Sequence, residues 1–207
     1  MLTRSLDHPY NPIALPGTDA ITIRRLGFVD TLAHVGTFVD GTMGRDVDFR
    51  LLERSRVAYA VARWVILPLY FQWRCAGYGA FQGERLVGLT YLRARRQALH
   101  VDAIAVHPDF RRQGIGRALL RLAERQARTA GRRWLSLRVT LSNEPAVRLY
   151  ESEGFRRARH EKWWLDDPVQ LEPNHADPGD GTIAKATLLK PLSSLPDTHE
   201  QEGPHGD

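Results

Sequence analysis

The residues of this chain best suited to chemistry lie between Leu99 and Gly116, which read Leu-His-Val-Asp-Ala-Ile-Ala-Val-His-Pro-Asp-Phe-Arg-Arg-Gln-Gly-Ile-Gly. An apolar run turns at His107-Pro108-Asp109 and passes Arg111 and Arg112. It then delivers Gly114 and Gly116 to a helix that begins Arg117-Ala118-Leu119-Leu120. A helix N-terminus carries unpaired amides and the positive end of the helix dipole, so the stretch is built to receive an anion. Glycines at 114 and 116 let the backbone approach that anion with no Cβ in the way. The amides of Arg112, Gln113, Gly114, Ile115, Gly116 and Arg117 can cradle it, and the guanidinium groups of Arg111, Arg112 and Arg117 add charge.

Two nucleotide-binding readings of these glycines fail on spacing. A Walker-type loop needs Lys-Ser or Lys-Thr after its second glycine, and here Arg117-Ala118 follows. A dinucleotide fingerprint places its first glycine almost directly after the strand and a third inside the helix. Here the turn from His107 to Gln113 intervenes, Leu119 holds the third-glycine position, and Ser136 and Arg138 occupy the region of the expected acidic residue. What does match is Arg111-x-x-Gly114-x-Gly116 after a strand ending Ile104-Ala105-Val106. It is joined downstream by Asn143-x-x-Ala146-x-x-Leu149-Tyr150-Glu151-x-x-Gly154-Phe155. Together these resemble the GNAT superfamily of acyl-CoA-dependent N-acetyltransferases. The resemblance runs from about Ile21 to Leu165 and is most specific from Leu99 to Phe155.

That resemblance implies an α/β fold: a mixed, mostly antiparallel central sheet, splayed between its fourth and fifth strands and flanked by helices. It implies acetyl-CoA as acyl donor, its pyrophosphate on the Arg111–Gly116 loop. Its pantetheine arm would lie in the splay, against the main chains of Ile104, Ala105 and Val106, with Asn143 near it. Asn143 also reads as a plain helix cap. The acceptor is an amine, of a small molecule or a protein. Tyr150 falls where the family carries the group that assists the departing thiolate; the alternative reading is a packed aromatic on an amphipathic helix. Some relatives carry a glutamate as base where this chain has Arg138, which cannot act as one. Asp102, at a position acidic in other relatives, is then the candidate base, with His100 on the same strand face as a rival. No metal is implied, and no Cys/His cluster has zinc-ligand spacing.

Composition agrees with this reading without choosing it. The 207 residues are 43% hydrophobic and 26% charged, as in an ordinary globular chain, and carry a formal net charge of +5. With a pI near 9.7, anionic partners are favoured: phosphorylated cofactors, nucleic acid or membrane surface. Arg117, Arg121, Arg125, Arg128 and Arg132 fall on one helical stripe that could meet phosphates. Glu124 interrupts it and no stacking aromatics interleave, so a nucleic-acid partner is not expected. The single cysteine, Cys75, excludes an internal disulfide, and the N-terminus lacks the apolar core of a signal peptide. The expected location is therefore cytoplasmic, as monomer or homodimer.

The elements that must position these groups follow from periodicity. Residues 1–19 read as an irregular lead-in, 20–190 as the acetyltransferase domain and 191–207 as a disordered tail. Strands are expected at Ile21–Leu26, in a hairpin of Tyr78–Gln82 and Leu86–Leu92 turning at Gly83-Glu84, from Leu99 onward, and at Trp134–Val139, Phe155–Leu165 and Thr182–Leu189. Residues 168–181 read as a turn-rich insertion. Helices are expected over Asp30–Asp40, from Gly116 to Ala130 with Gly131 as its C-cap, and from Asn143 through Glu151. Arg93, Arg95 and Arg96 read as a solvated turn. Val57–Trp73 is apolar on nearly all sides and interrupted by Arg63 and Pro68. It fits a buried helix broken at Pro68, an apolar wall for the acceptor, or a membrane-surface contact.

Overall fold

A computed structural model describes residues 21–31, 69, 73–159, 171–172 and 185–192. Within them, alternating and continuous apolar runs form eight strands: β1 Ile21–Arg25, β2 Ala76–Gln82, β3 Arg85–Ala94, β4 Ala98–Val106, β5 Trp134–Thr140, β6 Arg156–Ala158, β7 Leu171–Glu172 and β8 Lys185–Pro191. They make one sheet in the order β1-β2-β3-β4-β5-β8-β6-β7. Every pairing is antiparallel except β4 with β5, which run parallel. That one parallel step exists because β4 and β5 are joined by a helix crossover rather than a turn. The helix is α1, Ile115–Thr129. A second helix, α2, spans Glu144–Ser152.

Both helices cover the same face of the sheet. Ile115, Leu119, Leu122 and Ala123 of α1 and Tyr150 of α2 share a core with Leu99 and Val101 of β4 and Leu135 and Leu137 of β5. On the opposite face a second cluster joins Leu26, Cys75, Phe81, Leu89, Tyr91, Ala103 and Ala105. Thus β4 gives Leu99 and Val101 to the helix face but Ala103 and Ala105 to the other. Strict alternation would put all four on one face. The reason is a β-bulge: Val101 pairs with Leu92 and Ala103 with the adjacent Tyr91, leaving Asp102 as the extra residue.

Several expectations are corrected in detail. Arg93 is not in a solvated turn: β3 extends through it to Ala94, and its side chain is only 19% exposed. The short strand β7 lies inside the stretch read as turn-rich. Only Arg156–Ala158 of the expected Phe155–Leu165 strand is described as strand, and Trp163 and Trp164 lie outside the described residues. The final strand runs on to Pro191, opposite Trp134, and the amide of Leu192 donates to Arg133 O at 2.9 Å. Helix α1 ends as read: Gly131, at φ 61°, donates to Arg128 O and Arg132 to Ala127 O, closing the last turn. Of Asp30–Asp40 only Asp30 and Thr31 are described, in a helical stretch that begins at Phe28, and of Val57–Trp73 only Leu69 and Trp73. Among the described residues no helix is long and apolar enough to cross a membrane.

Candidate functional site

The site begins where the sheet opens. Strands β4 and β5 pair from Ala98↔Trp134 to Val101↔Leu137 and no further. Beyond that rung β4 continues for Asp102–Val106 and β5 for Arg138–Thr140. Main-chain groups of β4 that face the gap have no partner on β5, which leaves a ready-made edge for an extended ligand with amides of its own. Ile104 and Val106 are half-buried and pack toward the helix-face core. The expected splay between the fourth and fifth strands is present.

At the head of the gap sits the glycine loop. A 3-10 turn at Pro108–Phe110 leads out of β4. Arg111 Nε donates back to Val106 O at 3.2 Å, and Gln113 Nε2 to Asp109 O at 3.3 Å, so the loop is tied to the strand it leaves. Two successive left-handed bends then aim its amides. Arg112 has φ 65°, the one positive φ at a non-glycine among the described residues, and Gly114 has φ 83°. Gly114 is the N-cap of α1, with no side-chain cap and no acidic residue in the first turn. The first intrahelical bond of α1 comes from Ala118 N to Gly114 O at 2.9 Å. The amides before it project from the helix start as the anion reading requires.

Two contacts fix that start in place. The Ile115 side chain is fully buried, and a Cβ at Gly88 would meet its Cγ2 at 2.8 Å. A Cβ at Gly116 would meet Leu149 Cδ2 at 3.3 Å, so α1 and α2 touch where the loop becomes helix. An ion pair reinforces the crossing: Glu153 accepts from Arg117 Nε at 2.7 Å and lies 3.5 Å from Arg121 Nε. The Arg117 guanidinium is thereby held toward α2, and what Arg117 presents to the loop is its amide. Other members of the arginine stripe are matched too: Arg128 bonds Glu124, and Arg132 Nη1 donates to Arg96 O.

On α2, Asn143 occupies the N-cap but its side chain makes no capping bond, so the plain-cap reading does not account for its carboxamide. Its main chain does the work instead, with Asn143 O accepting from Ala146 N and Val147 N, both at 3.0 Å. Tyr150 is buried in the helix-face core, its ring centroid 5.9 Å from that of Phe155. Both Tyr150 and the loop therefore belong to the helix face of the gap.

The opposite face holds the acid–base groups. Asp102 stands at the bulge, directly past the last β4–β5 rung, but both of its oxygens are engaged. Arg93 grips it with two nitrogens, Nε to Oδ2 at 2.7 Å and Nη2 to Oδ1, and the Cys75 thiol donates to Oδ2 at 3.1 Å. Burial and then Asp102 push the Cys75 thiol well up, which keeps it protonated as that donor. His100 Nε2 lies 3.6 Å from Asp102 Oδ1, and its Nδ1 is 2.9 Å from Ser136 Oγ. A carboxylate near Nε2 favours a proton there, which leaves Nδ1 to accept the Ser136 hydroxyl. Burial lowers His100 to about 4; Asp102 opposes this, and Arg93, Arg95 and Arg138 add to it. The ring is therefore neutral at pH 7. Arg138 follows Leu137 on β5, on the same face as Ser136, with an exposed side chain.

Sequence reasoning brought the loop, Asn143, Tyr150 and Asp102 to one gap. It missed Arg93, which stands nine residues before Asp102 and meets it only through the β3–β4 pairing, and it missed Gly88 and Glu153. Among the described residues no group of three His, Cys, Asp or Glu side chains is placed to hold a metal ion.

Known proteins resemble this chain in sequence over part of its length and in fold. An uncharacterised N-acetyltransferase of Methanocaldococcus jannaschii is 38% identical over 71 residues, 34% of this chain and 31% of that one. The [ribosomal protein bS18]-alanine N-acetyltransferase of Escherichia coli strain K12 is 35% identical over 101 residues, 42% of this chain and 67% of that protein. The chain thus spans about a third of the first of these relatives and two thirds of the second. Among solved structures, the ribosomal-protein-S18-alanine N-acetyltransferase of Escherichia coli superposes with a TM-score of 0.56 at 20% identity, over 86% of this chain and 97% of that one. The PaiA N-acetyltransferase of Thermoplasma acidophilum, in complex with coenzyme A, gives 0.57 at 20%, over 83% and 98%. Residues 49–155, just over half of the sequence, match the Acetyltransferase (GNAT) family, and the chain belongs to that family.

Proposed function

We propose that the chain is an N-acetyltransferase that moves an acetyl group from acetyl-CoA to a primary amine by direct attack. The observation that carries this is the uncapped N-terminus of α1, with its left-handed Arg112 and Gly114, standing at the head of the β4–β5 gap. A pyrophosphate suits the first, and the pantetheine arm, an extended chain bearing two amides, suits the second. Structural neighbours described in complex with coenzyme A or with acetyl-CoA bound support the same donor. Relatives named for acetylating an alanine amine support the acceptor class.

In this reading the backbone amides from Arg112 to Arg117 hold the pyrophosphate, with Arg111 and Arg112 adding charge. Ile104, Ala105 and Val106 offer main-chain groups to the arm, and Asn143 offers its carboxamide. The amine nitrogen attacks the thioester carbon, the C–N bond forms, and the C–S bond breaks as the tetrahedral centre collapses. A backbone amide of β4 near Val106 stabilises the oxyanion. Tyr150 serves the departing thiolate. A tyrosine near pKa 10 is uphill by about 2 kcal/mol as full proton donor to a thiolate whose acid has pKa about 8.5, so its help is mainly a hydrogen bond. Asp102 is the sole carboxylate on the two splitting strands. To take the amine proton it would have to loosen its fork with Arg93. The experiment is thiol release from acetyl-CoA by the purified chain over a panel of amines. Acetyl-CoA binding with no thiol released by any amine would remove the catalytic reading.

A further inference from the structure

A β-bulge leaves one residue of a strand without a partner and disrupts the ladder around it. In β4 that residue is Asp102, one step past Val101↔Leu137, the rung at which β5 drops away. Regular pairing is therefore lost on both sides of β4 at one place. The stretch that follows, Ile104–Val106, is the strand edge beside the gap. Side chains pin the bulge from both faces of the sheet. On the face away from the helices, Arg93 of β3 holds both oxygens of Asp102, and Cys75, just before β2, donates to Oδ2 at 3.1 Å. On the helix face, Thr90 alternates along β3 with Gly88 and Leu92 and is fully buried. Its hydroxyl donates to Ala103 O at 3.0 Å. Ala103 is the first residue after the bulge and the last before Ile104. None of these bonds belongs to the main-chain ladder.

We infer that Arg93 and Thr90 are positioning residues of the donor site. They fix the bulge, and with it the direction in which the main-chain groups of Ile104–Val106 face the gap. This rests on the acetyltransferase reading, and within it Asp102 is the anchor that Arg93 grips, not the base. A backbone amide that stabilises an oxyanion must stand about 3 Å from that oxygen, and a misplacement of about 1 Å costs about a hundredfold in rate. Two buried side chains of β3 acting on consecutive residues of β4 supply that precision where pairing with β5 has ended.

The test compares Thr90→Val, which keeps the branched shape but loses the hydroxyl, with Thr90→Ser, which keeps the hydroxyl. Urea unfolding, calorimetric affinity for CoA, and kcat and KM for acetyl-CoA by thiol release are measured for each. Thr90→Val is expected to lower CoA affinity and kcat by about tenfold each, and Thr90→Ser to stay within about threefold of the parent. Loss of urea stability in Thr90→Val with parental CoA affinity and kcat would make the hydroxyl merely structural and overturn the inference. Arg93→Lys keeps the charge but not the two-point grip, so it carries the same expectation should Thr90→Val fail to fold. Asp102→Asn still offers Arg93 an oxygen but cannot titrate, and it should retain every limb of the parent's pH–rate profile. Disappearance of a limb would make Asp102 the base and overturn its role as anchor. If the parent binds CoA but no amine releases thiol, the catalytic reading falls. The CoA affinities then decide this inference alone, and an unchanged value in Thr90→Val overturns it.

Discussion

Acidifying the protein from pH 7 to pH 5 is expected to remove about 2 kcal/mol of stability through His100 alone. In the folded chain burial, seconded by Arg93, Arg95 and Arg138 against the pull of Asp102, brings this imidazole to about 4 from its ordinary 6.5. Between those two values the unfolded chain binds a proton that the folded chain refuses. Protonation of the unfolded state therefore draws the equilibrium away from the fold as pH drops below 6.5, and the drain stops growing below 4. The full gap, about 2.5 units at ~1.4 kcal/mol per unit, is roughly 3 kcal/mol, and a little over half of it falls above pH 5, clear of most carboxylate titrations. The side chain is only 14% exposed, so solvent screening takes little from that figure. Urea unfolding at pH 7 and pH 5 measures it, with His100→Gln beside the parent. Glutamine can still accept from Ser136 but cannot titrate, so its loss between the two pH values should be smaller by about 2 kcal/mol. Equal losses in the two proteins would refute the claim that the fold holds this ring neutral.

Three substitutions probe the donor half of the site. Gly114→Ala puts a Cβ on a residue at φ 83° and is expected to cost about 1–2 kcal/mol of stability, read by thermal or urea unfolding, together with a loss of CoA affinity. Gly116→Ala separates packing from binding: its Cβ would sit 3.3 Å from Leu149 Cδ2, a strain offset by the helix preference of alanine, about 1 kcal/mol over glycine. Stability should stay within about 1 kcal/mol while calorimetric affinity for CoA falls by tenfold or more, and unchanged affinity would mean that the anion does not approach at 116. Tyr150→Phe should lower turnover with little change in acetyl-CoA affinity; equal losses in both would assign the tyrosine to packing against Phe155 instead.

The parts of the fold legible in the sequence are those specified by local pattern. The hairpin at Gly83-Glu84, the amphipathic α1, its Gly131 stop and the Pro145-containing start of α2 each declare themselves within about one turn of chain. The geometry of the glycine loop was legible for the same reason: its glycines, arginines and helix start are contiguous. What was not legible needed pairing information. Arg93 looked like one of three arginines in a turn, because nothing near it says that β3 continues to Ala94. Its partner Asp102 lies across the strand pair, and their fork exists only in that register. Nothing local to Gly88 tells that it leaves the space that seats Ile115. Nothing local to Glu153 tells that it binds Arg117 and Arg121 from another element.

The bulge at Asp102 ties these observations together. With strict alternation through Asp102 in place of the bulge, Ala103 and Ala105 would continue the face of Leu99 and Val101, and Ile104 and Val106 would turn away from α1. The bulge reverses that, so β4 presents Ile104 and Val106 to the helix side in the same stretch where it leaves β5. The extra residue must then be placed on the other face, where a small polar group with its own partner is tolerated and an apolar one has no register-matched neighbour. Arg93 supplies that partner, and the thiol of Cys75 completes the carboxylate's bonds. A buried carboxylate held this fully has a structural reason to be there that requires no proton transfer. The residue that looks most like a base is thus also the one whose insertion sets which side chains β4 turns toward the helices beside the gap.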